Sequence, residues 1–160
     1  MTNDPQSSIG KALGRVPSGV FILTATHDGR HGAMLASWVM QAGFDPPAVT
    51  VALARGRPIA QTIRDSGRMA LSILPADDTS LMKHYARGAD ENDPFAGVTT
   101  QPTPSGIPVL RDALGWLDCD LVGVHDFGGD HELFIGRITA ACILRESEAF
   151  THQRGNGFHY

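Results

Sequence analysis

The chain has 160 residues, 42% of them hydrophobic and 19% charged, which is enough apolar material for a core that needs neither disulfides nor a structural metal. Its 17 acidic and 13 basic residues give a formal net charge of -4, so there is no basic field to hold a nucleic-acid backbone, and nucleic acid is excluded as an expected partner. The opening "MTNDPQSS" has no basic start leading into an apolar segment, and no apolar run approaches the roughly 18 residues that span a bilayer; a cytoplasmic protein without a membrane partner is expected.

No repeat, low-complexity tract or linker divides the sequence, so residues 1–160 are expected to form one domain. In chain order, a helix is expected over Ile9 to Val16, with Ile9, Leu13 and Val16 on one face. Next come a strand through "GVFILTA" (Gly19 to Ala25), a turn at Asp28-Gly29 and a second arm through "GAMLA". "MLASWVMQAGFDPP" (Met34 to Pro47) then loses its period around Gln41 and Gly43 and stops at a double proline, so irregular backbone is expected there. "AVTVALA" (Ala48 to Ala54) is a further strand. Helices follow over Pro58 to Ser66, closed by Gly67, and over Thr79 to Arg87, opened by Asp77, Asp78 or Thr79 and closed by Gly88. Ala89 to Pro108, rich in Pro, Gly and polar residues, is expected to be largely loop. Two long strand runs, "GWLDCDLVGVHDF" and "HELFIGRITAACIL", end the pattern around "GGD". The helices punctuate the strands instead of alternating with them, and no GxGxxG loop is present. An antiparallel β-barrel with a few short helices is therefore expected, not a doubly wound sheet.

The candidate chemistry is sparse. Cys119 and Cys142 stand in no CxxC pattern and are expected to be buried structural thiols. "HDFGGDHE" gathers His125, Asp126, Asp130, His131 and Glu132, but without the spacing of a closed zinc site; a solvated turn is the expected reading, and no metal site is assigned. Ser37 is not in GxSxG and neither cysteine has a nucleophile's signature, so hydrolysis is not expected. The carboxylate pairs Asp77-Asp78 and Asp90-Glu91 fall at helix starts or in loops, where capping and solubility account for them. What remains is the irregular stretch after Met34, where Gly43 permits unusual dihedrals and Pro46-Pro47 fix an extended exit, exposing backbone donors and acceptors suited to the edge of a planar heterocycle. Arg55 and Arg57, just before a helix start at Pro58, are either a phosphate-binding pair or a solvated surface pair.

These residues resemble the flavin reductase-like, FMN-binding split β-barrel family. The match runs through "RVPSGVFILTA", "GAMLASWVMQAGFDPPAVTVAL", "RPIAQTIRDSGRMALSIL", "GIPVLRDALGWLDCDL" and "GGDHELFIGRI", in the family's order and over most of the chain. The wording "MLASWV", "LMKHY" and "GNGFHY" is most similar to the flavin reductase domain at the C-terminus of cyanobacterial flavodiiron proteins, here as a free-standing unit. The family's segment before the double proline reads TxSSxxSxS; laid on without gaps, only Ser37 keeps a hydroxyl, while Leu35, Trp38, Gln41 and Gly43 replace the others.

The resemblance implies a flavin site of Leu35, Ala36, Ser37, Trp38, Gln41, Ala42, Arg55, Arg57, Lys83 and Asp130, with Arg55 and Arg57 where relatives place phosphate-binding residues. The family's GDH turn maps onto Gly129, Asp130 and His131, which makes His131 the catalytic residue, orienting nicotinamide and flavin. It further implies FMN, or FAD as an alternative, with NADH or NADPH as electron donor and a homodimer with flavin near the interface. Lys83, His84, His152, Phe158 and Tyr160 are then candidates to reach the neighbouring flavin. The implied activity is NAD(P)H-dependent flavin reduction serving an oxygenase or another redox acceptor. The alternative is a flavoredoxin-like electron-transfer module without efficient NAD(P)H oxidation, and a haem-binding barrel ranks last. No acidic residue or arginine of Rossmann type separates NADH from NADPH.

Overall fold

Strands with one apolar face pair until that face is covered, and the computed structural model, which describes residues 5–158, shows how this chain does so. The elements in order are α1 (Pro5–Gly14), β1 (Ser18–Gly19), β2 (Phe21–His27), β3 (Arg30–Ala36), β4 (Val39–Phe44), β5 (Pro47–Ala54), α2 (Pro58–Ser66), β6 (Arg68–Ile73), α3 (Ser80–Ala86), β7 (Thr100–Pro102), β8 (Pro108–Leu110), β9 (Gly115–His125), β10 (His131–Ile143) and β11 (Thr151–His152). Seven strands form one sheet in the order β3-β2-β6-β9-β10-β5-β4, paired antiparallel throughout. The two outer strands, β3 and β4, are consecutive in sequence with only Ser37 and Trp38 between them. Such a link reaches about 10 Å at most, so the sheet must curl until its edges meet. The result is an antiparallel split β-barrel whose seam lies at Ser37-Trp38.

The interior is filled by Leu23 and Ala25 of β2, Ala36 of β3, Val49, Val51 and Leu53 of β5, Met69 and Leu71 of β6, Cys119 and Phe134, with Ile59, Ala60 and Ile63 of α2 closing one end. Alternation is visible along β5, where Val49, Val51 and Leu53 are buried and their neighbours less so. A second cluster, outside the barrel, joins Val20, Ile22 and Leu74 to Leu81 and Tyr85 of α3 and to Leu110 and Ala113. The Tyr85 hydroxyl donates to the Pro94 carbonyl at 3.0 Å, and burial pushes this phenol up to about 12. Because layers cover both faces, β6 is buried from Met69 to Ser72 without alternation, which is why no strand signal marks it.

Several expectations hold in detail. Asp28 and Gly29 both adopt positive φ, 48° and 76°, in the turn between β2 and β3. Helix α2 spans Pro58–Ser66 and ends on Gly67 at φ 68°, whose N–H donates to the Ile63 carbonyl. Asp78 accepts the Ser80 N–H at the start of α3. Others are corrected. The first helix runs Pro5–Gly14, not Ile9 to Val16, so Val16 lies beyond its end, and Ile9, Leu13 and Val16 all stay exposed. The helix packs instead through Gly10 and Gly14 against the C-terminal tail; a Cβ on Gly14 would stand 2.5 Å from the Arg154 carbonyl oxygen. The stretch after Met34 is largely a strand, β4, and the long loop contains the β7-β8 hairpin. Cys119 is buried, its thiol pushed up to about 12 chiefly by desolvation, with Asp118 and Asp120 adding to it. Cys142 is exposed, on the part of β10 that runs past its pairing with β5 and is paired with β9 alone.

Candidate functional site

One end of β5 organises the site. Strand β10 runs antiparallel to β5 with His131 opposite Ala54, while the Ala52 N–H donates to the Trp38 carbonyl at 2.9 Å. The barrel seam and the start of β10 thus meet β5 two residues apart, at Ala52 and Ala54. Their side chains touch: the Trp38 and His131 rings lie 4.6 Å apart between centroids at 41°. His131 is 7% exposed and its Nδ1 is 2.9 Å from an Asp130 carboxylate oxygen. The Arg154 guanidinium lies over the other partner, 5.1 Å from the Trp38 ring centroid.

Beside this pair, β4 is an outer strand with its free edge towards the seam. Its register slips between Gln41 and Gly43, leaving Ala42 as an extra residue, and Met40, Gln41 and Ala42 are all exposed. Gln41, Ala42, Gly43 and Phe44 line a hollow of about 390 Å³. A Cβ on Gly43 would come within 3.2 Å of the Pro46 carbonyl oxygen, so a larger residue there would need that carbonyl to give by a few tenths of an ångström. The Asp45-Pro46 peptide bond at the end of this strand is cis.

The turn between β9 and β10 is held by Asp126. It accepts the Gly128 N–H at 2.8 Å and pairs with Arg55, which also donates to the Gly129 carbonyl at 2.8 Å. Arg55 reaches Glu132 at 3.5 Å, and Arg64 holds the other Glu132 oxygen at 2.8 Å. The backbone closes the same junction, the Arg55 N–H donating to the Asp130 carbonyl at 2.9 Å. Hydrogen bonding from Gly128, aided by Arg55, keeps the Asp126 carboxyl below its ordinary 3.8; the contact with His131 does the same for Asp130. A carboxyl lowered on folding stabilises the fold above its unfolded pKa and loses that contribution as pH falls through the folded one. The Gly128 amide is therefore expected to be protected from hydrogen exchange at neutral pH and to lose protection as the pH drops below 3.8, read by exchange NMR. In Asp126→Asn that step should vanish.

The model of the flavin reductase like domain matches residues 13–157. The chain belongs to this family. Diflavin flavoprotein A 1 of Synechocystis sp. is 38% identical over 160 residues, covering 96% of this chain, and this chain spans only 27% of that relative's length. Among solved structures, nitrilotriacetate monooxygenase component B from Mycobacterium thermoresistibile superposes with a TM-score of 0.80 at 28% identity, covering 91% of this chain and 80% of that one. The flavin reductase PheA2 gives a TM-score of 0.79 at 28% identity, covering 91% of each chain.

The flavin reductase-like site has a donor set that fits a flat heterocycle bearing a phosphate: an aromatic pair, an exposed strand edge with an extra residue, and guanidinium groups at the rim. The residues expected for it separate into groups. Trp38, His131 and Asp130 come together, and Arg55 adjoins them through the Gly129 carbonyl and the Asp130 backbone. Ser37 sits at the seam, half-buried, and Gln41 and Ala42 are on the exposed edge. Arg57 is exposed at the N-cap of α2, its N–H reaching the Ala54 carbonyl. Leu35, by contrast, packs its side chain outside the barrel with the α3 cluster, and Ala36 is core, so both offer only backbone. Lys83 and His84 are exposed on α3; His152 is on β11 beside Ser18, Phe158 is exposed, and Tyr160 lies outside the described residues. Sequence reasoning missed Arg154 and the Arg64-Glu132-Arg55 chain. No local signal marks Arg154, since only the tertiary path of the tail sets it on Trp38. Among the described residues no helix is long and apolar enough to cross a membrane.

Proposed function

We propose that this domain is an NAD(P)H-dependent flavin reductase with FMN as its flavin and FAD as the alternative. The observation that carries the reading is the Trp38-His131 contact, set at the seam of a flavin reductase-like barrel beside the exposed edge of β4. A bound flavin supplies an acceptor for the hydride of a reduced nicotinamide, and that chemistry needs alignment more than a general acid. The protein's part is then positional. The β4 edge and the Ser37 hydroxyl hold the rim of the ring, Trp38 gives it an apolar wall, and His131, oriented by Asp130, aligns the nicotinamide. The exposed Met40 and Phe44, 63% and 89% accessible, support a homodimer built across β4 with flavin near the interface. Reduced flavin then passes to an oxygenase or another redox acceptor in the cytoplasm.

A second reading, a flavin-binding electron-transfer module, is favoured by one feature: where the family places hydroxyls, Leu35 is turned to the outer cluster and Trp38 covers His131. One cuvette separates the two. An absorbance spectrum is taken with and without FMN, and NADH and then NADPH are added. Bleaching of the flavin band by either nucleotide supports the reductase; a yellow protein bleached by dithionite but by neither nucleotide supports the electron carrier; a colourless protein that leaves FMN fluorescence unquenched refutes both.

A further inference from the structure

The arginines of this chain divide by whether their charge is already answered. Arg55 is held by Asp126 and Glu132, Arg64 by Glu132, Arg68 and Arg137 by Asp120, and Arg145 by Asp77. Of the two arginines expected from the sequence to take a phosphate, Arg55 is thus spent on the β9-β10 turn, and Arg57 is exposed at the N-cap of α2. Among the described residues Arg154 shares the lack of a carboxylate partner with other arginines, Arg57 included, but differs from them in that its guanidinium lies over the face of Trp38. It is half-buried there.

Its position is imposed by backbone. Strand β11 pairs with β1, His152 opposite Ser18; the Arg154 N–H donates to the Gly14 carbonyl at 2.9 Å and the Gly157 N–H to the Gly10 carbonyl at 2.6 Å. Close approach at Gly157, where a Cβ would stand 2.2 Å from the Leu13 Cβ, locks the tail to α1. A guanidinium laid on an indole keeps its edge N–H groups free for an oxyanion while the ring shields one of its faces from water. With no carboxylate in place to compete, a phosphate there gains charge-assisted hydrogen bonds at little cost in reorganisation.

We infer that Arg154, carried by the C-terminal tail, is the phosphate-recognising residue of the Trp38-His131 site. The inference rests on the flavin reading above. The ligand chemistry is a phosphate ester joined to a planar ring, and two sources share it: the ribityl phosphate of FMN and the pyrophosphate of the nicotinamide dinucleotide.

The test titrates wild type, Arg154→Leu and Arg154→Lys with FMN, with riboflavin, which has the same ring and no phosphate, and with NADH, each followed by the ligand's own fluorescence. The expected result is an FMN Kd about tenfold weaker in Arg154→Leu, the loss of one charge-assisted hydrogen bond, with the riboflavin Kd unchanged and Arg154→Lys recovering most of the FMN preference. A selective loss for NADH, with both flavins unchanged, supports the same assignment with the dinucleotide as the source. Equal weakening of FMN and riboflavin overturns it, because Arg154 would then act only by packing Trp38. Unchanged affinities for all three ligands overturn it as well. If wild type quenches neither flavin, the flavin reading fails and takes the assignment with it.

Discussion

His131→Ala is expected to lower NAD(P)H oxidation in the presence of FMN by about a hundredfold, the scale on which misplacing a reactant by about an ångström acts, while the Kd for FMN changes far less. The imidazole is buried against Trp38 and held by Asp130, so it has one orientation to offer. On the proposed function, removing it takes away the group that aligns the nicotinamide but leaves the β4 edge, the Ser37 hydroxyl and Arg154 in place. As a turn residue by sequence, His131 would be expected to contribute little to the fold; being the buried first residue of β10, it should cost about 1 kcal/mol when truncated. Thermal melts of the variant then show a lowered but cooperative transition. Steady-state rates with NADH and NADPH, set beside the FMN titration, separate alignment from binding. An unchanged rate removes His131 from the mechanism.

Phe134→Ala is expected to destabilise the domain by about 3–5 kcal/mol, the range for deleting a buried aromatic side chain. That is a large part of the roughly 5–15 kcal/mol a domain of this size holds. Phe134 is fully buried in the barrel, opposite Val51 of β5 and Val124 of β9. The Arg64 guanidinium lies 4.9 Å from its ring centroid while also holding Glu132. The cavity therefore opens beneath the Arg64-Glu132-Arg55 chain that ties the site's turn to α2. Urea unfolding should show a lower midpoint with the slope preserved, and Phe134→Leu, which keeps most of the volume, should cost less than about 1.5 kcal/mol. Equal midpoints for wild type and Phe134→Ala would mean the ring is not core.

Much of the architecture was legible because its signals are local. The Asp28-Gly29 turn, the Pro58 start and Gly67 stop of α2, and the long apolar-rich runs of β9 and β10 on either side of the Gly-rich turn depend on dihedral preference and composition, which neighbouring residues set. The same locality explains what was missed. Strand β6 is covered on both faces and shows no alternation, and β4 carries an extra residue where its register slips, so each loses the period by which a strand is recognised. The stripe Ile9, Leu13 and Val16 had the right spacing for a buried face, yet α1 packs through its glycines.

For the site the division is sharper. The sequence by itself determined the antiparallel barrel, the irregular stretch ending in Pro46-Pro47, the GDH turn at Gly129 to His131, and through them the flavin reductase-like family. Only the tertiary structure decided which side chains serve the site. Arg55 is drawn to Asp126 and Glu132 across the β5-β10 junction, Leu35 turns outward and Ala36 inward by the alternation of β3, and Arg154 reaches Trp38 because the tail is pinned to α1. These are contacts between residues far apart in the chain, fixed by how the sheet closes and where charge is neutralised, and no local pattern encodes them.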